Sequence, residues 1–245
     1  MPRRELAQKI LALKAEHGAV ILAHNYQPAE IQDVADRLGD SLDLSRFAAS
    51  TEAPVIVFCG VHFMAETAAM LAPAKKVILP EPSAGCPMAD MMSAEALAAL
   101  KSKHPGAVVV TYVNSTAEVK AESDICCTSA NAVHVVRSVP EDRKIIFGPD
   151  KYLGGWVKKQ TGRRMIIWNG WCPTHQKIHP EQIEQLRKIH LEAVVMAHPE
   201  VNPAVTEIAD VVLGTGGMLR YVRESAACND TAATEIGMIY RLSKE

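Results

Sequence analysis

The stretch VVVTYVNSTAEVKAESDICCTS, Val108 to Ser129, decides the fold. A β-branched run, Val108–Val113, gives way to a helical stretch. A second short run follows at Asp124–Cys127 and opens into the polar loop Cys127-Thr128-Ser129. Strand, helix, strand is the signature of parallel strands joined by a crossover helix. The same alternation covers the rest of the chain. It predicts strands over Val20–Ala23, Val55–Phe58, Lys76–Leu79, Lys144–Phe147, Arg164–Trp168, Ala193–Ala197 and Asp210–Leu213. Met1 to Lys14 reads as an amphipathic helix and Glu235–Leu242 as another.

The strand ends recur at a fixed period. The first strand of each unit ends in His24-Asn25-Tyr26, then Tyr112-Val113-Asn114, then His198-Pro199-Glu200; Tyr112 follows His24 by 88 residues and His198 follows Tyr112 by 86. Second loops follow at Gly39-Asp40-Ser41, Cys127-Thr128-Ser129 and Gly214-Thr215-Gly216-Gly217. Fourth strands end in Gly85-Cys86-Pro87-Met88 and Trp171-Cys172-Pro173-Thr174, 86 residues apart. The expectation is a three-fold α/β repeat: residues 1–105 with the N-terminal helix, 106–190, and 191–245. A third Gly-Cys-Pro loop would fall near ~258, one period further on. The third unit is therefore expected to be incomplete in this sequence, with a polar third strand.

Composition excludes several classes. The formal charge is −2, and basic residues cluster only as pairs such as Lys75-Lys76, Lys158-Lys159 and Arg163-Arg164, so no nucleic-acid stripe is present. No apolar run approaches the roughly 20 residues that span a bilayer. The N-terminus lacks the features of a signal peptide, so a cytoplasmic, reducing setting is expected, and the six cysteines are not read as a disulfide framework.

Cys86 and Cys172 stand at equivalent loops, each followed by proline, where thiolates suit zinc or an iron–sulfur cluster. Cys172 and His175 also form a Cys-x-x-His half-site without an evident second half. Cys59, Cys126 and Cys127 lie in apolar strands and are expected to be small buried hydrophobes; Cys228 matches no landmark. Ser41, Ser129 and Thr215 precede predicted helices. One such hydroxyl is ordinarily an N-cap, but three at one repeat position suggest anion binding at helix starts. His24, Tyr26, Tyr112, Asn114, His198 and Glu200 add proton-transfer and hydrogen-bonding groups beyond the carboxyl ends of strands, where open α/β sheets bind ligands. His62, His134 and His190 fall in helical pattern and read as solvated or satisfied.

These motifs resemble the quinolinate synthase family. The matching segments are AHNYQ (Ala23–Gln27), GDSL (Gly39–Leu42), FCGVHFMAE (Phe58–Glu66), CPMAD (Cys86–Asp90), YVNST (Tyr112–Thr116), CTSANAV (Cys127–Val133), FGPD (Phe147–Asp150), CPTHQ (Cys172–Gln176), HPE (His198–Glu200) and TEIGM (Thr234–Met238). The resemblance implies three Rossmann-like αβα domains with parallel sheets around a pseudo-threefold axis. It also implies a [4Fe–4S] cluster with one cysteine from each domain, here Cys86 and Cys172; the third belongs beyond Glu245. It implies a cytoplasmic transferase of NAD biosynthesis that condenses iminoaspartate with dihydroxyacetone phosphate, losing phosphate and two waters. L-aspartate oxidase or aspartate dehydrogenase would supply its substrate. Tyr26, Tyr112 and Glu200 then carry proton transfers, His24, Asn114 and His198 orient substrate, and Ser41, Ser129 and Thr215 hold carboxylates or phosphate. Two departures stand out: Cys228–Ala233 is polar where relatives have an apolar strand, and Gly214 stands where many carry serine. Two other readings are a ligand-binding homologue without turnover and a zinc-dependent lyase or hydrolase using Cys172 and His175.

Overall fold

The structure, a computed structural model, describes residues 3–225 and 229–245. It divides into two compact units between Cys86 and Pro87. The first holds α1 (Arg3–Glu16), β1 (Ala19–His24), α2 (Ala29–Gln32), β2 (Arg37–Gly39), α3 (Ser41–Ser50), β3 (Val55–Cys59), α4 (His62–Leu71) and β4 (Lys76–Ile78). Its four strands are all parallel, in the order β2-β1-β3-β4. Central strand β1 reads AVILAH, and its Leu22 and Ala23 are wholly buried. A strand enclosed on both faces carries such a continuous apolar run rather than an alternating one.

The second unit repeats the scheme. It contains α5 (Ala94–Lys103), β5 (Val108–Tyr112), α6 (Ala117–Ala121), β6 (Ile125–Cys127), α7 (Ala132–Ser138), β7 (Ile145–Gly148), α8 (Lys151–Thr161) and β8 (Met165–Ile167). The sheet order, β6-β5-β7-β8, is that of the first unit. A smaller sheet, β10-β9-β11, follows from α9 (Pro180–Ile189), β9 (Val194–Ala197), α10 (Pro203–Ile208), β10 (Val211–Val212), α11 (Thr215–Glu224), β11 (Asp230–Ala233) and α12 (Met238–Leu242). Helix α8 lies so close to its sheet that a Cβ on Gly154 would sit 2.8 Å from Ile167 Cγ2 and 3.0 Å from Phe147 Cδ1. Only glycine fits there without displacing the core.

One aspartate per repeat pins the second strand to the first. Asp36 accepts the Ile21 N–H at 2.8 Å, Asp124 that of Val109 at 2.7 Å, and Asp210 that of Val195 at 2.8 Å. Each aspartate's own N–H returns to the carbonyl of the same strand residue. The side chain thus extends the ladder by one bond just where the second strand begins. With 15 residues separating the partners every time, these aspartates belong to the same repeat as the strand-end loops.

Several expectations are corrected. β2 was not predicted, because Arg37-Leu38-Gly39 has no β-branched residue and only Gly39 is buried. Asp230–Ala233, expected to be too polar for a core strand, pairs in parallel along the whole of β9. It borders β9 alone, and a strand at the margin of a sheet needs no apolar residues on both faces. The predicted helix over Glu235–Leu242 begins only at Met238, because the Glu235 carboxylate takes the Gly237 N–H at 2.7 Å and holds a turn. Cys127 is buried, but Cys126 is exposed, since successive side chains of a strand face opposite ways. Cys59 is half-buried, and Cys228 lies outside the described residues.

Candidate functional site

In the first unit the side chains gather at the carboxyl end of β1. His24 and Tyr26 flank buried Asn25, with ring centroids 4.7 Å apart in an edge-on arrangement. The Tyr26 N–H donates to His24 Nδ1 at 3.3 Å, which leaves Nε2 as the protonated nitrogen in the neutral ring. Gln32, buried and not singled out from the sequence, clamps the loop by donating to the carbonyls of Asn25 (3.2 Å) and Gln27 (2.7 Å). Ser41 is the first residue of α3, and the cap is Asp40, which accepts the N–H groups of Leu42 and Asp43. The Ser41 hydroxyl therefore stands at a helix start without the capping duty. Cys86 is half-buried at the end of this unit.

In the second unit the strand-end loops bring more of the expected residues together. At their centre is Glu200, 3 % exposed. The Tyr112 hydroxyl donates to its Oε1 at 2.5 Å. His175 Nδ1 lies 2.9 Å from its Oε2, and His198 Nδ1 lies 3.9 Å from the same oxygen. The two imidazoles stack with centroids 4.7 Å apart. His198 repeats the geometry of His24: Nδ1 faces the Glu200 N–H at 3.4 Å, and Nε2 reaches Ser129 Oγ at 3.2 Å. His175 Nδ1 is also 3.1 Å from Cys172 Sγ, and its Nε2 is 3.0 Å from Thr234 Oγ1.

Two residues outside the sequence-based site hold these loops. Asp150, fully buried, caps α8 through Leu153 N–H at 2.7 Å and accepts the Cys172 N–H at 3.1 Å. Thr234 reaches His175 from 59 residues away. Both lie in segments that carry the family resemblance, FGPD and TEIGM, which was the only signal available for them. His175 was read only as half of a metal pair with Cys172, because Glu200, its partner, is remote in sequence.

The hydroxyls at loop positions are not simple caps. Asn131, not Ser129, precedes α7, and its side chain accepts the Thr128 N–H at 2.7 Å. Thr215, buried, opens α11 behind Gly214. A Cβ on Gly214 would lie 2.8 Å from Ser129 Oγ, so glycine lets these two loops approach. The buried Oδ1 of Asn114 has no hydrogen-bond partner among the described residues, a state that a bound donor would relieve.

Electrostatics separate the two buried carboxyls. Burial opposes ionisation of Glu200, but His198, His175 and the hydrogen bonds from His175 and Tyr112 outweigh it and hold the carboxyl at about 2. Asp150 is pushed well above the usual range, by burial first and by the charge of Glu200 second, against the backbone N–H groups it accepts. Two neighbouring buried carboxyls shifted in opposite directions are the arrangement expected of an acid–base site. Cys172, His175 and Glu200 are also three ligand types whose atoms lie within 4.8 Å of one another.

Ser129→Ala is expected to cost about 0.5–1.5 kcal/mol, the loss of one hydrogen bond to His198 rather than of a helix cap. Its larger effect should be weaker binding of small carboxylates or phosphate. Calorimetry of malate and phosphate binding, beside denaturant unfolding, checks both. Unchanged binding in a stable variant would reduce Ser129 to a prop for His198.

Residues 8–245 match the family described as NadA, quinolinate synthetase A protein. Curated relatives named quinolinate synthase include one from Dehalococcoides mccartyi (strain CBDB1), 58 % identical over 245 residues that make up all of this chain and 81 % of the relative. Another, from Geobacter sp. (strain M21), is 53 % identical over 245 residues, 100 % of this chain and 80 % of the relative. A third, from Methanoregula boonei, is 52 % identical over 240 residues, 98 % and 79 % of the two chains. No helix among the described residues is long and apolar enough to cross a membrane.

Proposed function

The chain belongs to the quinolinate synthetase A family, and from that premise we propose that it condenses iminoaspartate with dihydroxyacetone phosphate. The products are quinolinate, phosphate and two waters, and the setting is cytoplasmic NAD biosynthesis. The observation that carries the reading is Glu200, a buried carboxylate gripped by Tyr112, His175 and His198. Such a carboxylate with a phenol and two imidazoles can pass protons between a substrate carbon, a hydroxyl and an amine. Ser41 and Thr215, at the starts of ten-residue helices, suit the carboxylates and phosphate of the substrates, because N-terminal N–H groups and the helix dipole favour anions. Ser129 adds a hydroxyl, and His24, Tyr26, Asn114 and His198 orient the reacting groups.

Cys86 and Cys172 fit a [4Fe–4S] cluster by donor chemistry. Both are half-buried thiols in Cys-Pro loops, and Asp150 steadies the backbone of Cys172. When bound, a cluster with one iron open to a substrate oxygen supplies a Lewis acid. The test is an anaerobic assay for quinolinate with iminoaspartate and dihydroxyacetone phosphate, after reconstitution with iron and sulfide. Product formation would support the reading. Tight binding of malate without product, in protein loaded with iron and sulfide, would favour a ligand-binding homologue instead.

A further inference from the structure

The segment that follows Cys86 is rooted in the second sheet. Pro87 opens the second unit, and Ala89–Met91 makes a short 3-10 turn. Met92, at its end, is buried with Val109 and Ile146, and Trp168 packs against the same cluster. Two hydrogen bonds fasten the turn. Trp168 Nε1–H donates to the Met91 carbonyl at 2.8 Å, and the Trp171 N–H reaches Met91 Sδ, a weaker acceptor, at 3.4 Å. Both donors lie in the few residues that lead into Cys172. We propose that Trp168 is a positioning residue for the iron–sulfur centre. Through Met91 it holds the turn after Cys86 and the loop that presents Cys172 on one frame. The role rests on the function proposed above, in which both cysteines bind that centre.

Trp168 is a fixed post. Its backbone N–H continues the sheet by donating to the Phe147 carbonyl at 2.8 Å. Gly170 is tied both ways: its N–H donates to the Pro149 carbonyl at 3.1 Å, and its carbonyl accepts the Lys151 N–H at 2.8 Å. Two glycines clear room for the turn. A Cβ on Gly148 would stand 2.7 Å from Met92 Sδ and 2.9 Å from Trp168 Cβ. One on Gly170 would stand 2.6 Å from the Pro149 carbonyl oxygen and 3.3 Å from Met91 Cβ. Side chains at either place would push the turn off its seat. The arrangement follows the repeat. Ile178 stands 86 residues after Met92, the spacing of Cys86 and Cys172, and it packs against the core of the third sheet. Each cysteine is thus followed by a turn seated on the sheet that comes next in the chain. Ligand loops fixed in advance by such packing lose less freedom on capturing a metal centre, and so release it more slowly.

Trp168→Phe keeps an aromatic ring but donates no hydrogen bond, and Met91→Leu keeps the volume but removes the sulfur. Val136→Ala, a truncation of a buried residue in α7, is the control for lost stability alone. Each chain is loaded anaerobically with iron and sulfide, and iron release to excess bathophenanthroline is timed. Trp168→Phe should release iron about 10-fold faster than the wild type, the low end for groups that orient a metal's ligands. Met91→Leu should do so to a smaller extent, and Val136→Ala should match the wild type. In the metal-free chains, amide hydrogen exchange over residues 87–92 should quicken in Trp168→Phe and stay unchanged in Val136→Ala. Circular dichroism confirms folding. Wild-type release from folded Trp168→Phe, or equal acceleration in Val136→Ala, overturns the positioning role while the cluster reading stands. A wild-type chain that takes up no iron and sulfide defeats the cluster reading, and this role with it. Unchanged exchange over 87–92 in metal-free Trp168→Phe removes the tie itself, whatever the cluster does.

Discussion

Cys172→Ala should fold normally, carry no iron or sulfide after anaerobic reconstitution, and make no quinolinate. The loop that presents Cys172 is held by its backbone: the Cys172 N–H donates to Asp150, which also caps α8. Neither bond involves the thiol, and the side chain is only half-buried, so the cost in stability should stay within about 1 kcal/mol. Cys127→Ala is the matched control. Cys127 is buried in β6 and faces the core, so its removal should cost about 1–2 kcal/mol and leave the iron and sulfide content untouched. Iron and sulfide analysis beside denaturant unfolding reads both quantities. Normal loading of Cys172→Ala would end the assignment of this residue.

Glu200→Gln should lower kcat by roughly 10²–10⁴, the range for removing a general acid–base group, and should also flatten the acid side of the stability curve. The sign follows from the direction of the shift. Burial works against the charge of Glu200, but His198, His175 and Tyr112 hold its carboxyl at about 2, below the ordinary 4.5. A carboxyl depressed by folding stabilises the native state above its unfolded pKa, and that contribution disappears as pH falls through the folded value. In the wild type, unfolding free energy should therefore drop by on the order of 3 kcal/mol between pH 4.5 and 2 from this group. Glutamine does not titrate, so the variant should lack this part of the decline. Asp150 is shifted the other way, partly by the charge of Glu200, so its titration moves too in the variant and the difference reports the coupled pair. Superimposable profiles for the two chains would show that Glu200 is not the charged member of the site.

The strands were legible where β-branched residues run unbroken, as in Val108–Val110, because parallel strands enclosed by helices admit few polar side chains. β2 and β11 were not. Arg37-Leu38-Gly39 and Asp230-Thr231-Ala232-Ala233 become strands by backbone pairing to β1 and β9, and tertiary pairing overrides weak local preference. The repeated aspartates, which set where the second strands begin, show as a pattern only once their backbone partners are known. At the site, Tyr112, Ser129, His198 and Glu200 stood out because each follows a strand end at one repeat position. His175 owes its place to Glu200 and Thr234, 25 and 59 residues away, and no local pattern encodes contacts of that range.

The opposite exposures of Cys126 and Cys127 give this fold a built-in clock. Thiol reagents attack the thiolate, so access and ionisation set the rate. Cys126 is open on the outer face of β6, whereas burial of Cys127 raises its pKa far above the ordinary thiol range. A reagent in excess modifies the first in the closed protein and reaches the second only when β6 peels from β5, its single neighbouring strand. The delay between the two modifications at adjacent positions therefore measures how often that margin opens. Local opening of this kind spans free energies from near zero to that of global unfolding. Since β6 runs directly into the Thr128–Ser129 loop, the same delay times how long the loop that meets His198 stays assembled.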